Sequence, residues 1–193
     1  MKTIRTSLKK YNKIILFLVI IFLIGLVSGG IYFSLTQESI VIDLEKELLN
    51  LSYSSNNMVF HVVILSLIVI SSFFVIGNVV GWFIYFYEAM SIGFMISSYL
   101  TYFGIKGVLF AFLYTLIFKL VYVISLTIVL IKLFYFSKNI IGYILLKKDS
   151  YLKESAVANF IMVIKMFGII FISDILLVFT GEYLTNLFSF LIS

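Results

Sequence analysis

Four ionisable side chains lie inside long apolar stretches of the sequence: Glu88, Lys119, Lys165 and Asp174. Placing a charge at the centre of a bilayer costs at least about 2.5 kcal/mol on insertion scales, so each group needs a partner or a route to water. Ion pairs between helices, a relay for protons or ions, and contacts with a partner chain would each meet this need. The sequence favours structural ion pairs, and the other two interpretations stay open.

Helical geometry restricts how these groups combine. Lys165 lies near one end of its apolar segment, so its long side chain can extend to the lipid headgroups. Asp174 lies on the opposite side of the same predicted helix, so its partner must come from another segment. We predict that Asp174 pairs with Lys119 and that Glu88 pairs with Lys132.

The composition explains why such charges stand out. Of the 193 residues, 63% are hydrophobic and 12% are charged, and the mean hydropathy is +1.19. Soluble domains average about 25% charged residues, so the chain is predicted to be a multi-pass protein of the cell membrane. The net charge of +5 comes from lysines that flank apolar segments. These favour anionic lipid headgroups over nucleic acid as the electrostatic partner.

The sequence offers little for catalysis. Cysteine is absent and His61 is the single histidine, which excludes disulfides and the usual soft metal sites. The motifs H-E-x-x-H, G-x-S-x-G and the P-loop are also absent. We therefore predict that the chain is not an enzyme and has no catalytic residue, metal or cofactor. His61, near the end of its apolar segment, is predicted to be an interfacial polar residue.

The apolar segments predict an all-α integral membrane fold: a single domain over 1–193 with about five transmembrane helices. The predicted spans are 14–33, 58–77, 83–103, 108–134 and 160–179. The basic N-terminus and the basic loop 137–158 are expected in the cytoplasm, and the acidic loop 36–57 and the C-terminus outside. The sequence predicts that the loop 36–57 is either a plain tether or a short amphipathic helix.

Glycines are concentrated in the segment 77–107, at Gly77, Gly81, Gly93, Gly104 and Gly107. The sequence predicts an inner turn over 77–81 and an outer connection over 104–107. Gly77 and Gly81 also form a G-x-x-x-G pattern, which favours close helix packing within the chain or, as an alternative, a homodimer contact.

This glycine-rich segment and the C-terminal part resemble the stage II sporulation protein M family. The residues that carry the resemblance are Ile76, Gly77, Ile92, Gly93, Phe94, Phe103, Gly104, Lys106 and Gly107, followed by the C-terminal acid Glu182 and Tyr183. The family usually carries prolines in its fourth span, whereas this chain has no proline and reads LYTLIFKLVYVI around Lys119.

The resemblance implies a non-catalytic membrane scaffold that anchors peptidoglycan-degrading partners outside the cytoplasm during engulfment in endospore formation. The excess of Lys over Arg, thirteen to one, and the abundance of Ile, Phe, Tyr and Asn indicate an AT-rich genome, which fits a low-GC Gram-positive host. The alternative is a transporter subunit: the substrate-binding component of a vitamin importer, or a permease-like partner of a cytoplasmic ATPase that binds the loop 138–153. The substrate-binding component needs a ligand pocket, for which the candidates are Asp174, Lys119, Asn78 and Trp82.

Overall fold

The computed structural model describes the backbone of residues 2–49, 55–72, 77–146 and 152–189, and side chains within 12–36, 56–71, 78–139 and 157–187. All of the described elements are helical. They are α1 (Lys2–Leu49), α2 (Ser55–Ser72), α3 (Gly77–Tyr114), a π-helical segment (Thr115–Lys119), α4 (Leu120–Leu146) and α5 (Leu152–Ser189).

Three apolar stretches of these helices are long enough to cross a membrane by length and composition. They are Asn12–Thr36, Asn78–Asn139 and Val157–Leu187, and α2 contributes the shorter apolar stretch Asn56–Ser71. Large apolar side chains point outward along these stretches, among them Leu35, Ile105 and Phe179, each at least 78% exposed. An outward apolar surface of this kind matches hydrocarbon, which makes the all-helical membrane assignment physically consistent.

The chain folds back on itself at Gly104, which divides α3 into the helices 77–103 and 105–114. Gly104 has φ 64° and ψ −146°, a conformation that residues with a Cβ rarely adopt. The ring of Tyr99 contacts that of Phe110, and Lys119 donates a hydrogen bond to Ser91, so residues at similar distances along the chain from Gly104 face each other. The 77–103 helix is therefore antiparallel to the helix that follows, as expected for the connection predicted at 104–107.

The turn predicted over 77–81 is wrong, because α3 begins at Gly77 and these residues form the first turn of that helix. The residues between Ser72, where α2 ends, and Gly77 lie outside the described ranges. Gly81 serves packing instead, because a Cβ at this position would overlap the Leu130 side chain of α4. Of the two roles predicted for Gly81, a turn and close helix packing, the structure shows helix packing.

The predicted loops are shorter than the sequence indicated. α1 continues as a helix through Leu49, which converts most of the predicted outer loop 36–57 into a helical extension about 20 Å long. α4 continues to Leu146 and α5 begins at Leu152, so only 147–151 within the predicted inner loop 137–158 lies outside the described helices. Over 36–49 the structure shows a helix, which was the second of the two possibilities for this loop, although it continues α1 and is not a separate short helix.

α1 and the 77–103 helix pack in parallel through four small residues, which we call the glycine seam: Gly25, Gly29, Ala89 and Gly93. A Cβ at Gly29 would overlap the Met90 carbonyl oxygen, and one at Gly93 would overlap the Leu26 carbonyl oxygen. Each side of the seam has the small-x-x-x-small pattern, which lets two backbones approach closely. Gly93 is therefore a packing glycine, as its place in the predicted core helix indicated.

Two apolar clusters fill the interior at different depths. One, near the end of the bundle that contains Asn78, includes Leu65, Leu126 and Ile170. The other, near the end that contains Gly104, includes Phe33, Tyr99, Phe110 and Leu177. We call these ends the Asn78 end and the kink end. Three of the predicted intramembrane charges, Glu88, Lys119 and Asp174, lie at the level between the two clusters.

Candidate functional site

The first buried ion pair joins α3 to the π-helical segment. Glu88 is 5% exposed, and its Oε2 lies 3.6 Å from Nζ of Lys119. The Lys119 ammonium also donates a hydrogen bond of 2.8 Å to Oγ of Ser91. Ser91 follows Glu88 by one helical turn, so both groups face Lys119 from the same side of α3.

The second pair joins α2 to α5 across the interior. Nδ1 of His61 donates to the Asp174 carboxylate, at 3.0 Å from Oδ2 and 3.2 Å from Oδ1. Asp174 is 2% exposed and His61 is 9% exposed, so both polar groups are removed from lipid. A histidine that orients toward a buried carboxylate is held in a defined tautomer by that bond.

Tyr122 lies between the two pairs. Its ring stacks on His61, with centroids 3.9 Å apart and an interplanar angle of 12°. Both Glu88 and Asp174 act electrostatically on its hydroxyl, which is buried and lacks a hydrogen-bond partner among the described residues. We call the five residues His61, Glu88, Lys119, Tyr122 and Asp174 the polar layer, since together they form one contiguous group at mid-depth.

These contacts correct both predicted pairs. Lys119 contacts Glu88 and Ser91 instead of Asp174, and Asp174 contacts His61. The prediction for His61 was also wrong, because its side chain is buried in the polar layer and not placed at the interface. The cause is rotational: which helix faces meet depends on crossing geometry, which residue spacing within one segment does not report.

A cavity of about 420 Å³ opens beside the first pair. It is bounded by α2, α3 and the π-helical segment, and it extends from Asn57 near the start of α2 to Glu88 and Lys119. Its remaining wall is mostly aromatic, with Phe60, Tyr87, Phe94, Tyr114 and Phe118. The volume is in the range of ligand pockets, ~300–1,000 Å³, and a few polar groups converge at one end, as such pockets require.

The other predicted residues lie apart from this cavity. Asn78 and Trp82, proposed as pocket residues, are near the opposite end of α3. There the Asn78 Oδ1 and the Trp82 Nε1 are buried and have no hydrogen-bond partner among the described residues. Lys165 is exposed on α5, which suits the predicted extension toward headgroups. Glu182 is exposed on α5 near the kink end and forms no part of the polar layer.

Gly104 and Gly107 form the connection between the helices 77–103 and 105–114, both of which line the cavity. A Cβ at Gly107 would overlap the Tyr99 carbonyl oxygen, so this glycine permits the two antiparallel helices to meet directly after the reversal. The glycine seam was the signal that sequence reasoning missed, since Gly25 and Gly29 form the same G-x-x-x-G pattern that was noted at Gly77 and Gly81.

The polar layer holds one histidine and two carboxylates, but its described residues do not form a metal-binding group. Among the described ranges, no three His, Asp or Glu side chains converge as a metal ion would require. Comparison of the chain with protein-family models, curated proteins and solved structures gives no match.

Proposed function

We propose that this chain is a non-catalytic scaffold of the cell membrane that resembles stage II sporulation protein M and anchors extracytoplasmic peptidoglycan hydrolases. One observation carries the proposal: three glycines among the residues of that resemblance stand where the backbone requires glycine. Gly93 contacts the Leu26 carbonyl, Gly104 has a positive φ, and Gly107 contacts the Tyr99 carbonyl. These residues therefore have structural roles that one shared fold would preserve.

The proposed scaffold crosses the membrane five times. The reversal at Gly104 turns the apolar stretch Asn78–Asn139 into two antiparallel helices. Asn56–Ser71 is about 24 Å long, which crosses a locally thinned bilayer. With α1 and α5 this makes five crossings, with the Asn78 end in the cytoplasm and the kink end outside. The exposed lysines Lys13 and Lys138 at the Asn78 end support this orientation.

The sequence contains no cysteine, so a single introduced cysteine is the only thiol that can be labelled, which makes the orientation directly testable. Lys106→Cys at the kink end and Lys138→Cys at the Asn78 end replace exposed side chains. In intact cells, a membrane-impermeant maleimide is expected to label the first variant and to leave the second unlabelled until the cells are opened. Labelling of Lys138→Cys alone would reverse the orientation, and equal labelling of both would contradict the topology.

The scaffold role is tested by site-specific photocrosslinking in the native membrane. Tyr183 near the kink end and Phe83 near the Asn78 end are both 70% exposed, so crosslinkers at these positions are matched for access. We expect peptidoglycan hydrolases to crosslink at Tyr183 and not at Phe83. Recovery of cytoplasmic ATPase subunits alone, with no extracytoplasmic partner at either position, would contradict the scaffold.

The second candidate function is a transporter subunit, and the cavity beside Glu88 and Lys119 is the observation that favours it. A substrate-binding component needs converging polar groups inside the bundle, which this cavity provides. The crosslinking experiment separates the two candidates. Adducts at Phe83 with a cytoplasmic ATPase would favour the transporter subunit.

A further inference from the structure

The carboxylate of Glu88 faces the cavity with most of its bonding capacity unused. A carboxylate can accept about four hydrogen bonds. Among the described residues, the contact of Glu88 with Lys119 at 3.6 Å is its closest polar contact, beyond hydrogen-bond distance. Glu88 is nevertheless only 5% exposed. Because no hydrogen-bond donor contacts the carboxylate among the described residues, its buried charge is poorly compensated.

The ammonium of Lys119 is also incompletely bonded. It has three donors, of which one binds Ser91 and another points to Glu88 across the long contact. The two opposite charges thus stand side by side at the cavity wall. A ligand that carries both an ammonium and an anion can donate to Glu88 and accept from Lys119 in the same pose.

The type of ammonium is set by Glu88. A primary ammonium can donate hydrogen bonds to the carboxylate, whereas a quaternary ammonium has no proton to donate. The aromatic wall adds attraction for a cation, since ring faces carry negative potential. On the anionic side, the Lys119 ammonium and the Ser91 hydroxyl are two donors, which suits an anion with several acceptor oxygens such as phosphate.

The cavity also opens toward the lipid. Phe60 and Tyr87 line the cavity and are 48% and 60% exposed on the outer surface of the helices. Both side chains therefore join the cavity wall to the outer apolar surface of the helices. An amphiphile could therefore place its headgroup at Glu88 and Lys119 and leave its chains outside this opening.

We propose that this cavity binds a zwitterion with a primary ammonium and a phosphate, the chemistry of ethanolamine phosphate. The ammonium binds Glu88, and the phosphate binds Lys119 and Ser91. The source is either a lipid headgroup that enters between Phe60 and Tyr87 or the free compound. This inference goes beyond the scaffold and needs no partner protein, so either proposal can fail without the other.

Binding is measured on the purified full-length protein by native mass spectrometry and thermal shift. The lipid probes are phosphatidylethanolamine, phosphatidylcholine and phosphatidylglycerol, and phosphoethanolamine is the soluble probe. We expect phosphatidylethanolamine to bind at least ten times more tightly than phosphatidylcholine or phosphatidylglycerol. Binding of phosphoethanolamine with similar affinity identifies a soluble ligand, and binding of the lipid alone identifies a headgroup.

Variants test whether the cavity itself is responsible. Glu88→Gln is expected to remove the preference for the primary ammonium, and Ser91→Ala, which deletes one hydroxyl, to weaken binding about fivefold. Lys165→Met is the control, because Lys165 is exposed away from the cavity. If Glu88→Gln elutes as an aggregate, the binding measurement on Ser91→Ala tests the proposal in its place. Equal binding of the ethanolamine and choline lipids by the unaltered protein, or no effect of Ser91→Ala, would overturn the proposal.

Discussion

The 77–103 helix of α3 contacts α1 on one side and α2 and the π-helical segment on another, and the two contacts use different chemistry. Against α1 the glycine seam brings backbone to backbone, with no room for an added methyl group at Gly29 or Gly93. On the other side, charged groups meet at 3.6 Å beside a cavity of about 420 Å³. Close packing fixes α1 on α3, whereas the charged side retains space and unused bonding capacity.

The difference teaches where rigidity and adaptability lie in this bundle. Lipid supplies no hydrophobic force between helices, so a seam of small residues stabilises through van der Waals contact, which any added atom disrupts. A polar layer stabilises through pairing, which a substitution can retain in part. Substitutions on the two sides should therefore differ in size and in whether a second change can compensate.

The largest effect is expected in the glycine seam. Gly93→Ala or Gly29→Ala places a methyl group against a carbonyl of the neighbouring helix, and we expect a loss of about 3 kcal/mol in the free energy of unfolding. Reversible unfolding in mixed micelles measures it. The matched control is Gly168→Ala in α5, where a Cβ meets nothing within 4 Å. Equal stability of Gly93→Ala and the control would contradict the seam.

The next effect concerns the Glu88–Lys119 pair. Lys119→Met leaves Glu88 as an uncompensated buried charge, and we expect a loss of about 2 kcal/mol, below the ~3–5 kcal/mol of a fully buried pair because Lys119 is partly exposed. The double variant with Glu88→Met should recover most of this loss. If the double variant is no more stable than Lys119→Met, the two side chains are not coupled.

A smaller effect is expected at the chain reversal. Gly104→Ala forces a side chain into positive φ, which costs about 1–2 kcal/mol. No atom lies within 4 Å of an added Cβ, so the loss measures backbone strain alone. Gly104→Asn should cost as much as Gly104→Ala, because Asn tolerates positive φ mainly where ψ is also positive, and ψ is −146° here. No loss in either variant would contradict backbone strain at Gly104.

The smallest effect is expected for Asp174→Asn. The amide keeps an acceptor oxygen for Nδ1 of His61 and loses the charge, so we expect a loss of about 1 kcal/mol. Thr180→Val, an exposed change on the same helix, is the control and should stay within about 0.5 kcal/mol of the unaltered protein. A loss as large as that of Gly93→Ala would mean that the polar layer contributes as much to stability as the glycine seam, which would contradict the proposed difference between the two.

Part of this arrangement could be predicted from sequence. Apolar length indicated helices, Gly104 marked a connection, and the cost of intramembrane charge indicated that Glu88, Lys119 and Asp174 need partners. The partners themselves could not be assigned. His61 and Asp174 are 113 residues apart in the chain, and their contact depends on how α2 and α5 rotate within the bundle.

The glycine seam could have been predicted from the sequence, because Gly25 and Gly29 show the same spacing as Gly77 and Gly81. Spacing alone does not say which of two such patterns faces another backbone. The boundaries of the loops could be predicted only in part. A helix within 36–57 was one of two possibilities, but hydropathy does not show that this helix continues α1 beyond the apolar stretch.

The π-helical segment Thr115–Lys119 contains one residue more than an α-helical turn would. The N–H of Leu120 donates to the carbonyl of Thr115, a bond that spans one residue more than an α-helical bond. This wider turn therefore accommodates the extra residue. Removal of one residue between Thr115 and Lys119 would leave a continuous α-helix, so Tyr122 and Leu126 would keep their directions. Removal of one residue between Leu120 and Leu126, where no wider turn compensates, would rotate everything that follows by about 100°.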